Sequence, residues 1–471
     1  MSSHDDVSSA AAPEENDDDA TFKSFLSSLP DDIIVHPSLT FPLLSPNNRG
    51  CVASASIKSG ELLLRIPHKY VVGPSDASSI PPPPPPPSPS STPPSAPISS
   101  LSNFMKTVLT LTHHSSSPTP TFKSSYTSAL PSTYSTLLTW PPSTVSLLLG
   151  SHLHPPLLSQ SSTYTSTYTT HISPHLPLST YPDFFKSLNA VLSRGFTTEK
   201  DNGVEGPFMI PLIDVLNHGE ASTTLKTDSS GFYMEAERDL EAKEEVTHRY
   251  MEGGGDEFLR SYGFLEGEVG GRVGKEVVVE VCGRLLWRFG GGGEWDVRGG
   301  WERKVEFFRG WGGLEEEIVV GDGKGVSDEI VTACCCLVLE EEAFEDVFGE
   351  EPAILEKDAV LGGGDFLESL VCACLIDIYE TRIKQYGPTT WREDEEAMKT
   401  CEAGSRKETA IKVVMQEKKS FEAMKVSVLK ILGQEEKAEE ETAEEDDGGN
   451  EDKEEERNEG GEAKSKKIKL W

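Results

Sequence analysis

Seven consecutive prolines, Pro81–Pro87, interrupt the N-terminal part of this chain. Proline has a fixed φ and no amide N–H, so such a run joins neither a helix interior nor a central strand. It reads as a polyproline II spacer or a disordered insert, and the Ser/Pro/Thr composition carries it to about residue 100. It breaks the strand pattern of the residues before it. Before it, Val52 opens an apolar/polar run, Lys58-Ser59-Gly60 is a turn, and Leu62–Ile66 is a second strand ended by Pro67. After it, Leu101–His113 and Tyr134–Leu153 read as helices, and 154–180 as a Ser/Thr/Tyr/Pro loop. Phe184–Phe196 is a helix with Phe184, Phe185, Leu188, Val191 and Leu192 on one face. Strand-like segments follow at 208–218, Gly231–Leu240 and Glu245–Tyr250, then a helix at 256–264.

The second half is helical. Ser327 is placed to N-cap a helix running to about Phe348, with Asp328 and Glu329 in its first turn. Phe366–Tyr386 and Ser405–Leu432 are two more, the last stopped by Gly433. Strands first and helices last predict an α+β fold joined to an all-α domain.

Charge is distributed unevenly. The formal net charge is -35, and the stretches 1–19 and 435–462 supply about -20 of it. Such runs repel themselves and predict disordered acidic termini. The balance argues against direct nucleic-acid binding, which needs Lys and Arg on phosphates. By contrast, no acidic residue occurs between Ala77 and Pro182. No apolar run is long enough to span a membrane, and the acidic N-terminus is neither a secretory signal nor a typical transit peptide. Lys464–Trp471 is a short basic patch of the kind that serves nuclear import. The eight cysteines make no paired CxxC set, so no metal site is expected. Cys334-Cys335-Cys336 and Cys372-Ala-Cys374 fall on apolar helices as small core residues. A reducing compartment, cytoplasmic or nuclear, suits them.

Three segments carry the chemistry. The first is Asn47-Asn48-Arg49-Gly50-Cys51-Val52-Ala53, leading into Lys58–Pro67. The second is Ser193-Arg194-Gly195-Phe196, then Pro211–His218 with Asp214, Asn217 and His218. The third is Glu245–Tyr250, then Asp256–Phe264 with Tyr262. Each is a weak signal alone. In this order and spacing they resemble the split SET domain of the Rubisco large-subunit methyltransferase class. Tyr126, Leu130-Pro131 and Trp140 look like that class's helical insert. Tyr386–Asp394 and the helix bearing Glu417 look like its C-terminal helical substrate-binding domain.

The resemblance spans about residues 40–432. It implies a SET β-fold over 21–265, with the Pro-rich insert at 74–100 and the helical insert at 101–192. A helical substrate-binding domain at 266–433 follows, with acidic tails at 1–20 and 434–471. It implies S-adenosyl-L-methionine as cofactor and lysine of a non-histone protein as methyl acceptor. Histidine is the alternative acceptor, since the class contains a histidine methyltransferase, and a catalytically silent SET-fold binding module is the alternative role. The partner is a protein substrate, and a monomer is expected. By position, Tyr250 and Tyr262 are the catalytic-pocket tyrosines. Asn48, Arg49, Gly50, Arg194, Asn217 and His218 face the cofactor, and Asp214 and Phe264 line the substrate pocket. The chain departs from the pattern in four places: Asn47-Asn48 replaces an acid and a glycine, His248-Arg249-Tyr250-Met251 an apolar strand ending Tyr-Gly, Gly219 follows the Asn-His pair, and Gly253-Gly254-Gly255 forms the next loop. Asn tolerates positive φ, which would let it keep the glycine's turn.

These residue types suit methyl transfer from a sulfonium to an amine. The reaction is an in-line displacement, so alignment and exclusion of water dominate. Lysine, with an ordinary pKa of about 10.4, must first lose a proton, which an apolar aromatic channel favours.

Overall fold

A computed structural model describes residues 17–45, 48–82, 97–200, 203–251, 255–267, 269–289, 297–321, 325–349, 352–362, 364 and 366–434. Most of the two acidic tails, Pro83–Pro87, Asn47, Gly253-Gly254, the 290–293 glycines and the Lys464–Trp471 patch lie outside these residues. The chain divides into two compact units, one made of Met1–Val273 with Thr381–Lys419 and the other of Gly274–Glu380 with Ser420–Trp471. Both boundaries near the C-terminus fall inside helices, Phe366–Ile383 and Arg406–Ile431.

The first unit holds the larger sheets, while the strand Glu317–Gly321, in a region expected to be all helix, pairs with Gly271–Gly274. An antiparallel four-stranded sheet runs Ile34–Val35, Leu62–Pro67, Gly231–Ala236, Thr223–Thr227 in spatial order. The proline insert and the helices after it thus separate sheet neighbours Leu64 and Met234. A second sheet orders Glu245–Val246, Cys51–Ala53 and Leu39–Thr40. Gly60 makes the turn between Cys51–Ala53 and Leu62–Pro67 at φ +83°, a conformation open to glycine. Helices Asn103–Ser115 and Tyr181–Arg194 pack together over the sheet core, with Phe184, Leu188, Val191, Leu64 and Ile66 fully buried. A second cluster joins Leu137, Trp140, Leu153 and Leu259 to Ala410 and Val413.

In the second unit, Ser327 caps Asp328–Val338, its Oγ accepting from Ile330 N at 3.2 Å. Among the described residues, no helix is long and apolar enough to cross a membrane.

Several local expectations are corrected. The acidic N-terminal run does not stay solvated throughout: Asp17, Asp18 and Asp19 form the first turn of a helix, Asp17–Ser27, where carboxylates favour the helix N-terminus. Tyr134–Leu153 is not one helix, because Pro141 and Pro142 cut it into short turns. The supposed loop 154–180 contains the helix His154–Thr167, opened by Pro155 and Pro156 in its first turn, where proline is tolerated. The helix from Ser327 stops at Val338, and Glu341–Phe348 is separate, started by an acidic turn. Asn48 takes no positive φ. It sits in the strand Asn48–Arg49, paired through Ser45, and among the described residues the non-glycine ones with positive φ are Leu212 and Lys243.

Candidate active site

The three segments converge within the first unit. Asn217 Nδ2 donates to Glu245 Oε1 at 2.8 Å. A Cβ at Gly50 would lie 2.9 Å from that same Glu245 oxygen and 3.0 Å from Asn217 Nδ2. Gly50 is therefore needed for close approach rather than for a turn. His248 N–H donates to Asn217 O at 3.0 Å, and His218 pairs with His248 in parallel. These bonds clamp 216–218 alongside 248–250.

Tyr250 is fixed twice by that clamp. Its hydroxyl donates to Leu216 O at 2.8 Å, and its N–H donates to His218 Nδ1 at 3.0 Å. Since Nδ1 accepts, the ring proton of neutral His218 sits on Nε2, which faces Glu266 Oε2 at 2.5 Å. Tyr250 and Tyr262 rings lie 4.7 Å apart, and Phe264 packs 6.0 Å from His218. Burial pushes the Tyr250 hydroxyl up to about 12, with Arg194 opposing, so it stays protonated at any working pH.

A cleft of about 750 Å³ opens beside them, lined by Arg194, Asp214, Leu216, Arg249, Tyr250 and Tyr262 among others. Its floor is a buried charged cluster. Arg194 donates through Nη1 to Asp214 O, and Tyr126 OH donates to Asp214 Oδ2 at 2.9 Å. Asp214 Oδ1 is buried with no hydrogen-bond partner. Burial raises the Asp214 carboxyl to about 6, against the pull of Arg194 and the Tyr126 bond. Leu212, fully buried two residues earlier, holds φ +69°, an outlier for a branched side chain that costs about 1–3 kcal/mol.

Of the residues singled out from sequence, Gly50, Asn217, His218, Tyr250, Tyr262 and Phe264 come together, with Arg194 and Asp214 at the cleft floor. Asn48 does not join them and is exposed on its hairpin. Arg49 lines a second, smaller pocket with Asp19, Tyr126, Arg194 and Asp214, where its guanidinium pairs with Asp19 of the N-terminal helix, donates to Phe41 O at 2.8 Å and stacks 4.1 Å over Phe22. Glu245 and the Leu216 carbonyl were not singled out. Glu245 lay in the third segment, but a carboxylate opening a strand is too common to mark a site.

Residues 302–419 match the Rubisco LSMT substrate-binding domain family. No curated protein matches the chain. Among solved structures, the chain is similar to the SET domain of LSMT bound to lysine and AdoHcy, with a TM-score of 0.60 at 16% identity over 91% of this chain and 94% of that one. It is also similar to Rubisco LSMT bound to AdoMet (TM-score 0.57, 16% identity, 91% and 94%) and to Rubisco LSMT bound to sinefungin and monomethyllysine (0.57, 15%, 91% and 94%). The fold read from sequence, a SET β-fold with a helical insert and a C-terminal helical region, is the fold found.

Proposed function

We propose that this chain is a SET-type protein methyltransferase that uses S-adenosyl-L-methionine to methylate a lysine nitrogen of a non-histone protein. The observation that carries the reading is the meeting of Gly50, Asn217 and Tyr250, distant in sequence, around one clamp beside a cleft. The fit to the cofactor rests on the Asn217 carboxamide oxygen and on the Arg194 guanidinium at the cleft, while Leu44, Glu245 and Asn217 themselves fill the space at Gly50. Bound there, the cofactor supplies an electrophilic sulfonium methyl.

This chain's own residues do the rest. The Tyr250 hydroxyl spends its proton on Leu216 O, leaving its lone pairs to face a polarised methyl through C–H···O contact. Tyr250, Tyr262 and Phe264 line an aromatic wall that excludes water and favours the neutral amine. Asp214 Oδ1, a buried acceptor without a donor, suits the incoming ammonium before it loses its proton. All eight cysteines are free, which supports a reducing compartment. The domain match at 302–419 supports a protein substrate.

A catalytically silent binding module is the second reading. Arg49, which the resemblance assigns to the cofactor, is already engaged by Asp19, and that favours it.

Calorimetric titration of S-adenosylmethionine separates the two. The wild type is expected to bind, and Gly50→Val, whose side chain would strike Asn217 and Glu245, to weaken binding at least about tenfold, or ~1.4 kcal/mol. No binding at millimolar cofactor sinks the enzyme reading. Incubating lysate with a labelled methyl donor and mapping modified peptides then tells lysine from histidine. Turnover is expected to fall below about pH 6, as Asp214 takes up a proton and ceases to be a full acceptor. Asp214→Asn should remove that acid limb from the pH–rate profile. A limb that persists unchanged in Asp214→Asn assigns it to another group.

A further inference from the structure

Cysteines that look scattered in sequence meet in the second unit. Cys282 on Lys275–Phe289, Cys334 on Asp328–Val338 and Cys374 on Phe366–Ile383 point at one another, each fully buried. Their three Sγ atoms all lie within 4.8 Å of one another, and Cys282 Sγ to Cys374 Sγ is 3.6 Å. The centre of such a triangle lies about 2.1–2.8 Å from each sulfur, a range that brackets the roughly 2.3 Å of a metal–thiolate bond. Among the described residues, no histidine or carboxylate joins the group.

We propose that Cys282, Cys334 and Cys374 form a three-thiolate site for one soft thiophilic ion, and that its best-matched occupant is trivalent arsenic taken up as arsenite. Donor type, coordination number and charge select it. Sulfur-only donors exclude hard ions. Zinc in a structural site takes four ligands, and a fourth is missing among the described residues. Monovalent copper accepts three thiolates but leaves two negative charges in a core where unpaired charge is costly. Trivalent arsenic bonds three sulfurs as a pyramid and stands above their plane, which suits the narrow end of that range, and three thiolates cancel its charge. The step balances without an oxidant or reductant: arsenous acid and three thiols give the tris-thiolate and three waters. Three As–O bonds break, three As–S bonds form, each S–H proton leaves in a water, and arsenic stays trivalent. Linking three helices far apart in sequence, the adduct would also stabilise the unit that holds them.

The test uses the full chain, freshly reduced, with arsenite, copper(I) and zinc offered separately and intact mass read under native conditions. Wild type and Cys372→Ala, a buried cysteine outside the triangle, are expected to retain one arsenic with loss of three hydrogens. Cys282→Ala, Cys334→Ala and Cys374→Ala should each lose it, and arsenite should raise the unfolding midpoint of the wild type and Cys372→Ala but of none of these three. Should the alanine variants fail to fold, serine at the same three positions takes their place (Cys282→Ser, Cys334→Ser, Cys374→Ser), and each must lose the adduct that the wild type retains. A folded wild type that retains no arsenic, an adduct that survives the three substitutions, or uptake of copper or zinc in preference to arsenite overturns the proposal.

Discussion

Phenylalanine at position 250 is expected to lower kcat about 100-fold, on the scale of losing one preorganised polar group at a reacting centre. Cofactor affinity should stay within about threefold, because the aromatic wall survives. The substitution removes one oxygen and leaves the ring. That oxygen is held by its bond to Leu216 O, and the backbone N–H of the same residue is held by His218 Nδ1. Both bonds fix where the hydroxyl points without help from substrate, which is the geometry that transition-state stabilisation needs. Loss of the donor also leaves the Leu216 carbonyl short of a partner, for about 1–3 kcal/mol of stability if water cannot reach it. Tyr262→Phe should cost less, about tenfold, because Tyr262 reaches the centre through ring packing against Tyr250. Single-turnover rates with saturating cofactor, alongside calorimetric affinity, separate the two effects. A Tyr250→Phe enzyme with wild-type kcat would remove this residue from the chemistry.

Where local pattern and tertiary structure agree, the sequence was a sufficient guide. Phe184, Leu188 and Val191 recur at helical spacing, and they are the buried face of Tyr181–Arg194. Ser327 sits before an acidic turn, and it caps. His154–Thr167 was illegible for the opposite reason. Its Ser/Thr/Tyr composition carries no apolar stripe, and Leu157 is its one buried residue. At the candidate site, Asn217 and Tyr250 could be picked out by motif order. Leu212's left-handed backbone could not, since nothing in a leucine announces φ +69°. The partner of Arg49 was illegible, because Asp19 belongs to a stretch whose charge density reads as solvated tail. Once Phe22 and Phe25 bury, that helix docks and carries Asp19 to the guanidinium. The three thiols escaped notice since spacing rules detect pairs on one loop, and these come from three helices.

The largest stability effect is expected at Glu417, in the first unit. Its carboxylate is fully buried, accepts from Ser151 Oγ at 2.6 Å and from Tyr386 OH at 2.5 Å, and lies 2.8 Å from His152 Nδ1. The other ring nitrogen of His152 lies 3.0 Å from Asp256 Oδ2, which Arg272 also approaches at 3.4 Å. Burial alone would push His152 down. Glu417 and Asp256 outweigh it and lift the imidazole to about 9, so it is a cation at neutral pH. Glu417→Ala removes one of two carboxylates from a buried cation and strands two hydroxyl donors. That is expected to lower unfolding free energy by about 3–5 kcal/mol, while Glu417→Gln, which keeps an acceptor, costs less. The pH dependence has a definite sign. His152 has a raised folded pKa, so its stabilisation is complete below about 6.5, the ordinary value, and is lost as pH climbs through about 9. Asp256 is depressed to about 2, despite burial, by His152 and Arg272, so its contribution holds above 3.8 and fades as pH falls toward 2. Urea unfolding of the wild type should therefore weaken between about pH 6.5 and 9, by up to about 3 kcal/mol from this histidine. Glu417→Gln should flatten that decline, because its His152 has less to lose on deprotonation. An alkaline profile identical in wild type and Glu417→Gln would show that His152 is not held as a cation by this carboxylate, and that the buried triad is a hydrogen-bonded neutral network instead.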